Sequence, residues 1–185
     1  TLTFTLLDDA LWPALFEGIS LTPTVEVTGC PLTLPADGPR VEHQTYADLV
    51  SGARNGRNIR LHFLSPTSFR SNDMHVPLPD PGMVYQSWLG RWNTFAPEGM
   101  QINVALLDIV AAHVAISRHT LRTKMVDWGR NRKAIGFVGR VKYAVLRAGK
   151  IGPDWVQRLN TLADYAVYCG TGHKTAHGMG LTRRL

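Results

Sequence analysis

Apolar and polar residues alternate most regularly along Arg57–Leu64. Ile59, Leu61 and Phe63 fall to one side and Arg60 and His62 to the other, the pattern of a half-buried strand with a basic open face. Gly136–Leu146 repeats it, with Phe137, Val141, Tyr143 and Val145 set against Arg140 and Lys142. Leu121–Trp128 reads as a third strand, joined to the second through Gly129–Ile135, whose Arg130, Arg132 and Lys133 predict a basic hairpin tip. Helices are predicted over Met83–Phe95 and Val104–Arg118; in the second, Val104, Leu107, Val110, Ala111 and Val114 recur at helical spacing. A third helix opens at Pro153, buries a stripe of Val156, Leu159, Leu162, Ala163 and Ala166, and ends near Cys169. A glycine-rich loop and a short strand at Leu181–Leu185 close the chain. From Arg57 onward the order is strand, helices, strand, strand, helix, loop, strand. That is the βαββαβ order of a ferredoxin-like unit, so the predicted class is α+β.

The first part of the chain fits the second half of another such unit. Thr1–Leu7 reads as a strand, Asp8 and Asp9 can cap a helix over Leu11–Gly18, and Thr24–Val27 reads as a strand. Thr1 opens on a strand with no lead-in, so part of this first unit is expected to be missing. The expected division is residues 1–45, the remainder of the N-terminal unit, and residues 46–185, the C-terminal unit. Gly29–Arg57, with three prolines and four glycines, reads as loop apart from a turn of helix at Tyr46–Ser51, and Ser65–Pro81, with four prolines, reads as loop.

Composition adds a direction to this picture. Hydrophobic residues make up 44% of 185, enough for a packed core, which argues against disorder. The net charge of +6 is unevenly placed: residues 1–100 hold 6 Lys/Arg and 10 Asp/Glu, residues 101–185 hold 14 and 4. Arg118–Lys142 alone carries eight basic residues and one acid. Such density of one sign fits a phosphate-tracking surface beside the loop better than an ordinary solvated face. The two cysteines, Cys30 and Cys169, form no CxxC pair, so no zinc site is expected, and they read as reduced, which suggests a cytoplasmic protein. No apolar stretch is long enough to span a membrane, and neither a secretion signal nor a cofactor motif is apparent.

The densest chemistry lies in Gly170–Gly180, a GxG, five residues including Lys174, then GxG. Four glycines permit sharp turns and close approach to a ligand, and their amides can form an anion-binding nest. Lys174 adds charge, and His173 and His177 add donors or stacking surfaces. No GK[ST] stands at Walker spacing, and the loop follows a helix, where a dinucleotide fingerprint would open one. The two histidines, four apart, would share a metal only on a helix, which the glycines oppose. On these features alone, a site for a small anion or nucleotide stays open beside one for RNA; the eight basic residues near Arg118–Lys142 favour RNA.

The stretch YCGTGHKTAHGMG resembles the signature loop of the CRISPR-associated repeat-processing endoribonucleases of the RAMP superfamily. LHFLSPTSFR at Leu61–Arg70, QSWLGRWNTFAP at Gln86–Pro97 and GFVGRVKY at Gly136–Tyr143 are similar to that family's strand, helix and hairpin strand. The resemblance implies tandem ferredoxin-like (RRM-like) units, the first incomplete here. It also implies binding of the CRISPR repeat in precursor and mature RNA, and one metal-independent cut by 2′-OH attack that leaves a 2′,3′-cyclic phosphate. Loop residues Gly170, Gly172, Lys174, Gly178 and Gly180 would contact or shape the RNA cleft, with His173, Thr175 and His177 between them and Arg130, Arg132, Lys133, Arg140 and Lys142 beside them. His173, His177 and Lys174 are the catalytic candidates in this sequence. In many family members the catalytic histidine lies near the first helix of the first unit, a segment this sequence lacks. The alternative is a non-catalytic RNA-binding subunit or fragment of a CRISPR ribonucleoprotein. Other subunits of an interference complex are the remaining expected partners.

Overall fold

A computed structural model describes residues 3–22, 24–27, 29–35, 38–72, 74–127, 129 and 133–185. The chain forms two compact units, Thr1–Gln44 and Thr45–Leu185. Among the described residues no helix is long and apolar enough to cross a membrane.

In the first unit the Asp8 carboxylate accepts the Ala10 amide, starting a short 3-10 turn that runs into α1 (Trp12–Leu21). β1 (Thr24–Val27) and β2 (Cys30–Thr33) pair antiparallel. β2 falls inside the stretch expected as loop; its ladder with β1 overrides the weak local signal of Cys-Pro. Residues 3–7 form no strand, against expectation, and Thr1 and Leu2, where the expected strand begins, lie outside the described residues. α1 buries no residue, and Phe16 and Leu21 are exposed.

The second unit begins at α2 (Tyr46–Ser51), closed by a reciprocal Thr45–Asp48 capping box. β3 (Asn58–Thr67) follows, then a small hairpin of β4 (Phe69–Ser71) and β5 (Met74–Val76). This hairpin lies within the proline-rich stretch expected as loop; three-residue strands carry too little pattern to read. α3 (Pro81–Phe95) starts on the Asp80 cap, with Pro81 in its first turn. α4 (Leu106–His113) is shorter than expected. The chain leaves the helix at Val114 and continues as β6 (Val114–Asp127), paired with β7 (Lys133–Val145) from Val114↔Val145 onward. Val114 continues the helical spacing set by Val110, but β-branched side chains such as Val114 and Ile116 suit a ladder better. The helix therefore buries Leu106 and Val110 and leaves Val104 exposed. α5 (Ala148–Ile151) and α6 (Pro153–Cys169) come next, and β8 (Thr182–Arg184) ends the fold.

The sheet runs β6-β7-β3-β8, every pairing antiparallel. Counted within the unit this is the 4-1-3-2 arrangement of a ferredoxin-like domain, and the fold is the expected α+β, tandem ferredoxin-like class. Ile59, Leu61, Phe63, Val141 and Tyr143 point to the core shared with α3 and α6. There Trp92 meets Tyr46 and Tyr165 edge-on at 5.0 and 5.1 Å. The Arg184 guanidinium, turned inward, binds Asp164 at 2.9 Å and both the carbonyl and the side chain of Asn160, fastening β8 to α6.

Candidate functional site

The α6 helix ends at Gly170, and the eleven-residue loop that opens there is fixed at every turn. Gly170, Gly172, Gly178 and Gly180 all take positive φ, between +67° and +81°, and Lys174 joins them at +58°. A Cβ on Gly172 would collide with the Ser68 carbonyl, and one on Gly180 with the Thr171 carbonyl. Both are close backbone approaches that only glycine allows.

What the loop approaches is an irregularity in β3. Between Phe63↔Gly139 and Thr67↔Phe137 the register shifts, and Leu64, Ser65 and Pro66 bulge from the ladder. Their freed polar groups bind the loop. The Ser65 hydroxyl accepts from the Leu181 amide at 2.8 Å, the Pro66 carbonyl from Gly180 at 3.0 Å and, just beyond the bulge, the Ser68 carbonyl from His173 at 2.8 Å. The LSPTS run and the glycine loop are thus two halves of one hydrogen-bonded structure.

From the other side α3 braces the loop. The Ser87 hydroxyl accepts the Gly172 amide at 2.9 Å, and the Trp88 indole donates to the Thr171 hydroxyl at 2.9 Å. That hydroxyl also bonds Thr182 at 2.7 Å. Arg91 donates to the Gly172 carbonyl at 2.7 Å and to the Thr175 hydroxyl at 3.3 Å. Arg91 is spent on loop geometry, a role local sequence does not reveal.

Thr175–His177 forms a 3-10 turn, with His173, Lys174 and Thr175 half-buried and Ala176, His177 and Gly178 exposed. The His173 ring stands 6.2 Å from that of His75, centroid to centroid, and His75 is the ladder partner of Arg70 in the β4–β5 hairpin. Burial, and then the charges of Lys174, His75, Arg70 and His177, hold the His173 imidazole below its ordinary pKa, so it favours its neutral form. Arg70 and His75 belong to this cluster, yet sequence reading gave them no role. Only the hairpin, hidden among prolines, could have pointed to them. Burial pushes the Cys169 thiol up to about 12, which removes it as a nucleophile at neutral pH.

The open face of the sheet carries a second group of cations. Arg60 pairs with Lys142, and Lys142 with Arg118; His62 lies between Arg140 and Arg183. Arg140 and Arg183 are exposed, and Lys142 is half-buried. Lys133 is exposed at the start of β7, within 3.8 Å of Asp127. Arg130, Arg132 and Trp128 lie outside the described residues. Of the other histidines, His43 binds Asp9 in the first unit at 3.1 Å. Tyr46 is committed to the aromatic core of the second.

Residues 61–182 match the family model described as CRISPR-associated endoribonuclease Cas6. The curated Cas6 of Streptococcus thermophilus is 27% identical over 139 residues, 75% of this chain and 50% of that protein. The Cas6 of Mycobacterium tuberculosis is 27% identical over 128 residues, 69% of this chain and 38% of that protein. The chain therefore spans about half, or less, of the length of the curated relatives it matches. Among solved structures, it is similar to a Cas6 substrate-mimic complex, with TM-score 0.82 and 29% identity, over 97% of this chain and 77% of that one. It is also similar to Thermus thermophilus Cas6, with TM-score 0.69 and 26% identity, over 77% of this chain and 58% of that one. With a family match over most of its length, and with the loop, bulge and sheet order just described, the chain belongs to the CRISPR-associated endoribonuclease Cas6 family.

Proposed function

We propose that this chain binds CRISPR repeat RNA through the Gly170–Gly180 loop and the basic sheet beside it, and serves in the metal-independent cleavage of precursor RNA. The observation that carries the reading is the loop itself. Its backbone is rigidly held by β3 and α3, while Lys174, Thr175 and His177 and its partly exposed His173 sit in a cationic surrounding. The substrate-mimic and product complexes of structurally similar Cas6 proteins support this reading. In this reading Gly170, Gly172, Gly178 and Gly180 shape the cleft, and Lys133, Arg140 and Lys142 track phosphates, as do Arg130 and Arg132. Residues 1–45 are what this sequence holds of an N-terminal ferredoxin-like unit, and 46–185 are the RNA-binding one.

The chemistry asks for a base to take the ribose 2′ proton as its oxygen attacks phosphorus. An acid protonates the departing 5′ oxygen, and cations stabilise the phosphorane. The products are a 2′,3′-cyclic phosphate and a 5′-hydroxyl. His173, neutral at pH 7, suits the base, His177 the acid and Lys174 the cation. A repeat RNA incubated with the chain in excess EDTA tests this. The expected result is a single cut ending in a cyclic phosphate, slowed about 10²- to 10⁴-fold by His173→Ala. Cleavage abolished by EDTA removes the mechanism.

A second reading, an RNA-holding piece without cleavage, is favoured by one fact: the chain covers only 50% of its Streptococcus relative. Tight binding with no cut selects it. In either reading the mature RNA stays with the protein and joins it to other subunits of a CRISPR ribonucleoprotein in the cytoplasm.

A further inference from the structure

We infer that Thr171 and Thr182 are positioning residues of the glycine loop: with Trp88 they form a one-way chain of buried hydrogen bonds that closes the neck of the loop. This deepens the RNA reading above and rests on it. The two ends of the loop meet at Thr171 and Gly180, where the Thr171 amide donates to the Gly180 carbonyl at 2.8 Å. Ends held this close give the segment the form of a compact Ω-loop. The direction of the hydroxyl protons at this neck follows from what each group can do. The Trp88 indole only donates, and its proton goes to the Thr171 hydroxyl at 2.9 Å. The Gly180 carbonyl only accepts, and the single hydroxyl proton of Thr182 goes to it at 2.9 Å. The Thr171 proton is then directed at the Thr182 oxygen, 2.7 Å away. Reversing that middle link would leave the Thr171 proton without an acceptor in the chain and take one donor from the Gly180 carbonyl.

Burial gives the chain its weight. Trp88, Thr171 and Thr182 are each 0% exposed, so solvent cannot replace a lost partner. The chain starts in α3, passes through the residue that opens the neck and ends, by way of β8, on the residue that closes it. Gly180 is thereby fixed from two sides. Its carbonyl takes the Thr171 amide and the Thr182 hydroxyl, and its amide donates to Pro66 in the β3 bulge at 3.0 Å. Between these tied ends lie His173, Lys174 and His177, the groups proposed above to meet RNA. Removing one hydroxyl leaves a buried group unpaired and lets the neck open, so the loop must be ordered again each time RNA binds.

The test compares Thr182→Val with Thr182→Ser, and Thr171→Val with Thr171→Ser, in the full chain. We expect each valine to quicken amide exchange from Gly172 to Gly180 with β7 unchanged, and to weaken repeat RNA binding about tenfold, the weight of one hydrogen bond. Each serine keeps the hydroxyl and should restore both. The Trp88 indole resonance, followed by NMR, should move in Thr171→Val and stay in place in Thr171→Ser. Where Thr171→Val does not fold, Thr182→Val decides, since valine suits a strand. If RNA binds and Thr182→Val matches the wild type in loop exchange and affinity, the chain positions nothing and the RNA reading stands. If the valines loosen the loop but the wild type binds no RNA, the clasp stands and the RNA reading fails. Exchange that quickens equally in β7 makes the two threonines supports of the whole fold and overturns their positioning role.

Discussion

Gly180 and Gly178 both hold positive φ, +73° and +81°, but for different reasons. Around Gly178 a Cβ would meet nothing within 4 Å, so Gly178→Ala costs only the left-handed backbone, about 1–2 kcal/mol. At Gly180 the Cβ would strike the Thr171 backbone, and the loop must move, so Gly180→Ala costs about 3 kcal/mol or more. Urea denaturation of the two variants should rank them in that order; equal losses would show that the Thr171 approach does not matter. Gly172 is of the second kind: its closest approach is to Ser68, so it serves packing first, and in the proposed reading it serves RNA only through the shape it gives the loop. His173 sets a stability trend. Its folded pKa lies below that of the unfolded chain, so the unfolded state takes the proton first as pH falls, and stability declines from the ordinary histidine range downward. In melts from pH 7 to 5, His173→Gln should lessen that decline; an unchanged slope would place it elsewhere.

At the scale of elements, α3 holds the loop as firmly as the loop's own turns do. Arg91→Ala removes the donors to Gly172 and Thr175, and Lys cannot replace a planar fork that also bonds Ser87. Amide exchange should quicken in the segment from Thr171 to Gly180 and stay unchanged in β7, with RNA affinity falling roughly tenfold for one absent charge-assisted bond. Exchange that quickens throughout would mean Arg91 supports the whole fold. The elements with strong periodicity were legible beforehand. The alternation in β3 and the stripe on α6 report burial directly, because one face of each meets the core. The α4–β6 boundary was not, since Val114 satisfies both a helical and a strand period and only its pairing with Val145 decides. Arg91, Arg70 and His75 were invisible as site residues for a related reason. Topology brings them to the loop from far along the sequence, and no local pattern records that.

Across the whole molecule, charge is gathered on the second unit, and its sheet carries rows of cations. Arg140→Glu and Arg183→Glu should weaken binding to all RNAs alike. Each should lower the slope of log affinity against log salt by about 0.7 for every single-strand phosphate that is no longer neutralised. A weakening confined to one repeat sequence would show that these residues read bases. The β3–β8 pairing has a different consequence. β3 is the first strand of its sheet in the chain and lies inside it, yet its partner on one side is the last element, and the loop docks on a bulge in β3. A ribosome delivers these parts in that order, so the bulge waits, its carbonyls unmatched, until Gly170–Leu181 emerges. In the proposed reading, RNA binding then waits on these late residues: a copy that stops before Gly170, however well packed its helices, has no loop with which to seize a transcript.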